Sequence, residues 1–358
     1  MTLPYRRRAR TLGALAFALG IASPAAAEPY LAVRTGLKCS ACHVNRTGGG
    51  GRNDYGSVFG QTQLPLGAGA PVSRQLGDVF ALGFDVRTSA TGFFRDVDPR
   101  LALDLDEAQV YLEARLLDRA LAFYLDQTVG PNRAASREVF ALLERLPLNG
   151  YAKAGKLLPP YGLRLKDNAE FVRDRTGFTF ATPDLGVELG IEPGPLSLVL
   201  AVTNGEQGGV ESNSGKQVTS TAQLVTRRIR LGASASRNEG AARKDVVGGF
   251  GGLSVGPLAV LGEVDLIRER VVGITVERLA GYVEGDLLLT RGLNAKITYG
   301  YFDRNLDVAQ DERYRMRFGL ELFPRAFVQL SGFYILEENI PQATDDLDRA
   351  LLELRLFF

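Results

Sequence analysis

Polar and apolar side chains alternate along most of the chain after residue 77. In the run 311–323 the polar set is Arg313, Arg315, Arg317, Gly319 and Glu321, and the apolar set is Tyr314, Met316, Phe318, Leu320 and Leu322. A repeat of two over ten or more residues is typical of a long β-strand with one wet face and one apolar face. The pattern therefore predicts an all-β region built from long strands.

These strands are longer than the usual length of about five or six residues. They match the roughly nine to eleven residues that a tilted strand needs to cross a bilayer. Sixteen runs occur, near 78–90, 103–117, 119–129, 136–146, 150–158, 184–192, 195–203, 217–227, 228–237, 245–255, 257–268, 275–289, 291–302, 311–323, 325–336 and 347–358. The sequence thus predicts a transmembrane antiparallel β-barrel over residues 78–358. We expect about sixteen strands, or fourteen if residues 155–180 hold one pair fewer.

The first 27 residues have the pattern of a signal peptide. A basic stretch at 6–10 precedes an apolar stretch at 11–23, and small residues end at Ala27. The apolar stretch is too short for a spanning helix, so we expect cleavage after Ala27 and a mature chain that begins near Glu28 in the outer membrane of a bacterium. Four of the 42 basic residues lie in this leader, which leaves 38 against 41 acidic residues. That balance argues against a nucleic-acid partner.

The hexapeptide Lys38-Cys39-Ser40-Ala41-Cys42-His43 contains both cysteines and the one histidine of the chain. The spacing C-x-x-C-H is the attachment motif of a c-type haem. Two thiols on one turn can each bond a haem vinyl group, and the adjacent imidazole can then reach the iron. A thioredoxin-like pair and a structural disulfide are the alternatives, but neither requires a histidine after the second cysteine.

The haem segment is predicted to span residues 28–66, followed by a linker at 67–77. About forty residues are too few to enclose a haem unaided, so we expect the segment to lie in or across the periplasmic mouth of the barrel. Arg46 and Arg52 are candidates for pairing with haem propionates, although solvated charge is the usual state of such residues. The glycine run 48–51 favours either a flexible link or a backbone packed close to the haem.

Five connections are long enough to be outward loops that meet a redox partner: 94–100, 156–177, 205–216, 305–311 and 337–346. Asp96, Asp98, Glu337, Glu338, Asp345 and Asp346 make several of them acidic, although a solvated surface explains this equally well. The stretch Gly155–Arg164 resembles a segment found in anion-selective porins. We expect it to lead into an ordinary surface loop, with a constriction loop or an outer docking surface as the alternative.

The haem segment resembles the fused monohaem cytochrome c–porin of the outer membrane of iron-oxidising bacteria. The resemblance rests on Arg34-Thr35-Gly36, the C-x-x-C-H motif, Tyr55-Gly56 and Phe59, together with the barrel that follows. It implies one covalent haem c bonded to Cys39 and Cys42, with His43 as the proximal axial ligand of the iron. The glycine run departs from the family pattern, which commonly has a proline-containing stretch there.

The resemblance further implies electron transfer between extracellular iron, or another redox partner, and a periplasmic c-type cytochrome or other electron carrier. Two alternatives remain open on the sequence: a solute porin whose haem segment is a plug or sensor, and a haem peroxidase. An Fe(II)-oxidising activity would follow from the electron-transfer interpretation alone.

The sixth position of the iron is not expected to hold methionine. Met316 is the one methionine beyond Met1, and it falls in phase with the apolar, lipid-facing set of its strand. A one-residue shift would place Arg313, Arg315 and Arg317 in hydrocarbon, at a cost of about 2–4 kcal/mol each near the midplane. Water, an open site, Lys38, a Tyr, an Asn or the amino terminus at Glu28 are the remaining candidates.

Overall fold

The strands of the sequence pattern are present in a computed structural model, which describes residues 28–67, 69–94, 100–131, 134–240, 242–271, 273–339 and 347–358. The predicted signal peptide therefore lies outside the described residues. The barrel strands are β2 (Phe80–Phe93), β3 (Arg100–Leu116), β4 (Leu121–Gly130), β5 (Ala135–Leu146), β6 (Gly150–Leu157), β7 (Asp184–Ile191), β8 (Leu196–Thr203), β9 (Gln217–Val225), β10 (Ile229–Glu239), β11 (Arg243–Val255), β12 (Leu258–Val271), β13 (Ile274–Thr290), β14 (Leu293–Asp303), β15 (Glu312–Leu322), β16 (Val328–Asn339) and β17 (Leu347–Phe357).

Each barrel strand pairs antiparallel with its neighbours in sequence, and β17 pairs with β2 to close the sheet. A short strand β1 (Gln75–Leu76) adds to β2. Closure pairs every strand on both sides, which a sheet inside hydrocarbon requires. The prediction of sixteen strands is confirmed, and the alternative of fourteen is wrong because β6 and β7 pair directly over Tyr151–Leu157 and Asp184–Gly190.

The inward and outward faces follow the predicted alternation. On β15, Arg315, Arg317 and Glu321 are buried in the lumen, whereas Met316 and Phe318 are exposed on the outside. The outer surfaces of the strands carry many exposed Leu, Val, Ile and Phe side chains. A closed barrel with an apolar exterior is stable in a bilayer, where hydrocarbon replaces water around those side chains.

The remaining elements are short. They are α1 (Pro29–Thr35), a 3₁₀ turn at Cys39–Ala41, α2 (Asp54–Thr62), a second 3₁₀ turn at Pro147–Asn149 and α3 (Phe171–Asp174). Among the described residues, no helix has the length and apolar character needed to cross a membrane.

The N-terminal segment 28–66 lies inside the barrel, at the end where the strand connections are short turns. Its Leu66 N–H donates to the Phe323 carbonyl at 2.9 Å, and Arg291 of the β13–β14 turn donates to the Pro65 carbonyl at 2.9 Å. Tyr30 and Val33 of α1 are almost fully buried against the barrel wall. The prediction that this segment borrows the barrel as its walls is confirmed.

The 158–183 connection between β6 and β7 folds into the lumen, so the expectation of a surface loop is wrong. Asp167 accepts hydrogen bonds from Arg315 at 2.8 Å and Arg317 at 2.9 Å, and Tyr161 donates to Asp265 at 2.8 Å. The two arginine pairs join charges of opposite sign that would otherwise be buried alone, and the Tyr161 hydroxyl satisfies an oxygen of Asp265. The connection, which we call the lumen loop, instead matches the constriction-loop alternative.

The lumen loop leaves the wall at the opposite end from the N-terminal segment. The connections 204–216 and 304–311 lie at this same end, as predicted for outward loops. Parts of the other two predicted long connections, residues 95–99 and 340–346, lie outside the described residues, together with Asp96, Asp98, Asp345 and Asp346. Glu337 pairs instead with Arg349 at 2.7 Å and is half-buried, so it is not free to face a partner.

Candidate functional site

The C-x-x-C-H motif forms a single tight turn. The N–H groups of Cys42 and His43 both donate to the Cys39 carbonyl, at 3.1 and 3.0 Å. Both thiols are free and half-buried. The 3₁₀ turn at Cys39–Ala41 and the two residues after it therefore hold two sulfur atoms and an imidazole within five positions, as the motif requires.

Asn53 and Gly56 fasten this turn to helix α2. Asn53 Nδ2 donates to the Ser40 and Ala41 carbonyls at 3.2 and 3.1 Å, while its Oδ1 accepts from the Gly56 N–H at 2.9 Å as an N-cap. A Cβ at Gly56 would lie 2.0 Å from the Cys42 carbonyl oxygen, so only glycine allows this approach. The motif is thus rigidly placed by residues up to fourteen positions away.

Cys39, Cys42 and His43 all face one cavity inside the barrel, with about 1210 Å³ of empty space, part of it open to solvent. The N-terminal segment forms one side, the lumen loop at Pro160–Arg164 forms the other, and inward residues of β8, β9, β10 and β11 complete the wall. The apolar part of the lining includes Leu31, Leu37, Phe59, Leu64, Leu163, Val199 and Phe250.

The imidazole of His43 is neutral. Burial and the nearby positive charge of Arg52 lower its pKa to about 3, and the Gly50 carbonyl offsets only part of that shift. Nδ1 is shielded from solvent and makes no hydrogen bond of ordinary geometry with another described residue. A neutral ring with a free lone pair is the form in which histidine binds a metal.

Burial also raises the pKa of the Cys42 thiol, with the neighbouring Cys39 acting in the same direction. Cys42 is accordingly a thiol rather than a thiolate at neutral pH. A redox-active C-x-x-C pair instead contains a thiol whose pKa is lowered by its surroundings. The thioredoxin-like alternative therefore gains no support from the geometry.

Arg46, one of the two arginines that the sequence suggested as an anion partner, is occupied by other groups. Its guanidinium pairs with Glu144 at 2.8 Å and with Glu192 at 2.6 Å. Burial works against the charge, but these two carboxylates raise the pKa of Arg46 above its usual value. Arg46 thus fastens the segment to the barrel. Arg52, the other candidate, lines the cavity beside His43.

Tyr161, Gly162 and Leu163 cover the side of the cavity that faces the lumen loop. Tyr161 stacks on Phe178, with 4.3 Å between ring centroids, and the Leu163 N–H donates to Glu263 at 2.7 Å. Sequence reasoning missed these residues because it treated the connection as exposed. The available signal was its apolar content, Leu157, Leu158, Leu163, Leu165 and Phe171, which is unusual for a loop in water.

The residues present fit a covalently attached haem. Two thiols at the required spacing, a neutral imidazole next to them and a largely apolar cavity that all three face occur together. Met316 lies on the outer surface, 37% exposed, which confirms its predicted lipid-facing phase. The described residues therefore offer no methionine to the cavity.

No protein-family model matches the chain, and no curated protein matches it. Among solved structures, the trimer form of OmpT from Vibrio cholerae aligns over 78% of this chain and 100% of its own, with 13% identity and a TM-score of 0.63. The anion-selective porin from Comamonas acidovorans aligns over 78% and 99%, with 12% identity and a TM-score of 0.63. The outer membrane channel DcaP of Acinetobacter baumannii aligns over 80% and 100%, with 11% identity and a TM-score of 0.60.

These likenesses establish the fold: the chain is a porin-type barrel of sixteen strands. A closed barrel with an apolar exterior is the architecture of bacterial outer-membrane proteins. The chain accordingly belongs to the outer membrane, with a small N-terminal segment and a lumen loop meeting inside it.

Proposed function

We propose that this protein transfers electrons across the outer membrane through one covalent haem that the barrel holds in its lumen. The observation that carries the proposal is the position of Cys39, Cys42 and His43, which face a cavity inside the barrel lined by the N-terminal segment, the lumen loop and the wall. A soluble cytochrome cannot enter a bilayer, whereas a barrel carries its contents into one. The electrons would pass between an extracellular donor or acceptor, with Fe(II) as the favoured donor, and a periplasmic carrier.

The residues of the cavity have distinct tasks in this proposal. Cys39 and Cys42 bond the cofactor, and His43 binds its iron, which supplies a reversible one-electron couple. Tyr161 and Leu163 cover the cavity and limit the entry of water, which influences the potential of a haem. Arg46 keeps the segment from leaving the barrel through its two ion pairs.

The orientation of the barrel supports the proposed route. Short turns of outer-membrane barrels face the periplasm and long connections face outward. The segment with the C-x-x-C-H motif lies at the short-turn end, where a periplasmic c-type cytochrome could approach it. The connections 204–216 and 304–311 lie at the opposite end, where an extracellular iron species could approach.

A solute porin with a plug is the second candidate, because the fold is that of known porins. Its plug would have to move or leave a channel. The segment is, however, joined to the wall by several buried contacts, among them Tyr30 to Glu321 at 3.0 Å and Asn45 to Glu138 at 2.8 Å. This arrangement favours a permanent insert.

Adding Fe(II) to the purified oxidised protein and following the haem absorption spectrum tests the proposal. We expect a covalent haem on denaturing gels and a change to the reduced spectrum with Fe(II). A protein that contains haem, stays oxidised with Fe(II) and turns over hydrogen peroxide would be a peroxidase. A protein without haem that conducts small solutes would be a porin, and either result would contradict the proposal.

A further inference from the structure

Positive side chains outnumber negative ones around the cavity. Its ionisable lining, apart from the motif cysteines, His43 and Tyr161, consists of Lys38, Arg46, Arg52, Arg164 and Arg230 against Glu28 and Glu192. Glu192 is already paired with Arg46 at 2.6 Å. Burying excess positive charge is costly unless an anion compensates it. The cavity is therefore built to receive negative charge.

Most of these cations use their donors within the protein. Arg230 Nη2 donates to the Leu37 carbonyl at 2.6 Å, Arg164 Nη2 donates to Thr47 Oγ1 at 3.2 Å, and Lys38 Nζ donates to the Leu196 carbonyl at 2.5 Å. These contacts hold the three side chains in place and join the N-terminal segment to the lumen loop and the barrel wall.

Arg52 is different. Its guanidinium makes no ion pair and no hydrogen bond with any other residue that the structure describes. Asp85 attracts it only from beyond ion-pair distance, because Arg355 binds both oxygens of Asp85 at 3.2 and 3.1 Å. The guanidinium carbon instead lies 4.5 Å from the centre of the Phe357 ring. Contact with the ring leaves the N–H edge free for a planar acceptor.

The backbone directs Arg52 toward the same space as His43. The two residues are direct partners in an antiparallel bridge, which is bounded by hydrogen bonds from Val44 N to Gly51 O and from Asn53 N to Cys42 O. Residues directly opposite in an antiparallel pair have their side chains on the same face. Both side chains line the cavity accordingly.

We propose that Arg52 binds a propionate carboxylate of the haem through its free N–H edge and thereby fixes the orientation of the macrocycle. This inference rests on the proposed function, since it requires the haem. Arginine presents a fork of donors that matches a carboxylate. Arg230 is a poorer partner because its Nη2 already donates to the Leu37 carbonyl at 2.6 Å and its Nη1 lies 3.9 Å from Cys39 Sγ. Arg52 is a positioning residue, not a ligand of the iron.

The test is resonance Raman spectroscopy of the propionate-bending band in the purified protein, together with the reduction potential. In Arg52→Met the band should move to the position of a propionate without a hydrogen bond, and the potential should fall because a cation near the haem has been lost. Arg52→Lys should retain most of the potential but not the band position, since an ammonium keeps the charge without the fork. Arg268→Met, at an exposed arginine that pairs with Glu277 away from the cavity, is the control and should leave the band unchanged.

An unchanged band in Arg52→Met would overturn the proposal, as would an equal change in Arg268→Met. If neither Arg52 variant retains haem, the wild-type protein decides: the band should shift on exchange from H₂O to D₂O, and a band that does not shift contradicts a hydrogen-bonded propionate. The band is measured without Fe(II) or a redox partner. Failure of electron transfer and failure of this contact are therefore separate results.

Discussion

The barrel wall and the segment inside it depend on the sequence in different ways. Each wall strand repeats one rule, polar inward and apolar outward, and its backbone partners are its neighbours in sequence. The segment 28–66 has three short helical elements, and its buried residues pack against strands far along the chain, as when Tyr30 meets Glu321. The structure of the barrel wall is thus specified by a local pattern that repeats in every strand. The position of the N-terminal segment is instead specified by single contacts with distant strands.

This difference explains which features of the structure could be predicted from the sequence. All sixteen strands were predicted close to their observed bounds, because a period of two over ten residues has one structural meaning in an exported chain. The position of the segment in the mouth of the barrel followed from its small size. The motif residues were evident from spacing alone.

The strands that the lumen loop contacts and the partners of the two arginines could not be predicted. A loop that enters a lumen is specified by charges on distant strands, such as Arg315 and Arg317 for Asp167, and the sequence does not show which strand faces it. Arg46 and Arg52 looked alike in sequence. Only the folded barrel distinguishes Arg46, paired with Glu144 and Glu192, from Arg52, which has no carboxylate partner among the described residues.

The largest expected effect is the complete loss of covalent haem from the N-terminal segment while the barrel still folds. Replacing Cys39 and Cys42 together by Ala should abolish covalent haem, because no other cysteine exists in the chain, and should leave the barrel folded. Haem staining on denaturing gels and heat-dependent gel mobility measure the two properties. Ser40→Ala, in the same turn, should retain the haem. Covalent haem in the double variant would contradict the assigned attachment site.

Removing the N-terminal segment should open the lumen of the barrel. A mature chain that begins at Gly67 should show severalfold higher conductance in planar bilayers than the full chain, because residues 28–66 occupy the mouth of the lumen. Shortening the 204–216 connection serves as a control and should change conductance little. Equal conductance with and without the segment would show that it does not block the lumen.

A smaller effect is expected from the loss of one contact between the N-terminal segment and the barrel wall. Glu138 is fully buried on β5 and accepts hydrogen bonds from Asn45 at 2.8 Å and from the Leu158 N–H at 2.9 Å. Glu138→Ala leaves both donors unsatisfied, at about 1–3 kcal/mol each. Hydrogen exchange at the amides of residues 44–51 should accelerate accordingly.

The control is Glu277→Ala, which removes an exposed pair with Arg268 and should cost less than about 1 kcal/mol. Similar exchange rates at residues 44–51 in both variants would mean that Glu138 does not anchor the segment.

The smallest effect is expected for Met316→Leu, on the outside of the wall. The substitution conserves volume in a lipid-facing position and should change neither the haem spectrum nor the stability by more than about 1.5 kcal/mol. The oxidised wild-type protein should lack the near-infrared band of a methionine–iron bond. A band that disappears in Met316→Leu would show that both the ligation and the strand register are wrong.

Electron transfer across the membrane through the haem of the N-terminal segment is measured most directly in liposomes. The protein is inserted in vesicles that contain trapped oxidised cytochrome c, and Fe(II) is added outside with a chelator that cannot cross the bilayer. We expect reduction of the trapped cytochrome with the wild-type protein and none with the variant that lacks Cys39 and Cys42. Equal reduction with both proteins, or none with a wild-type protein that contains haem, would contradict it.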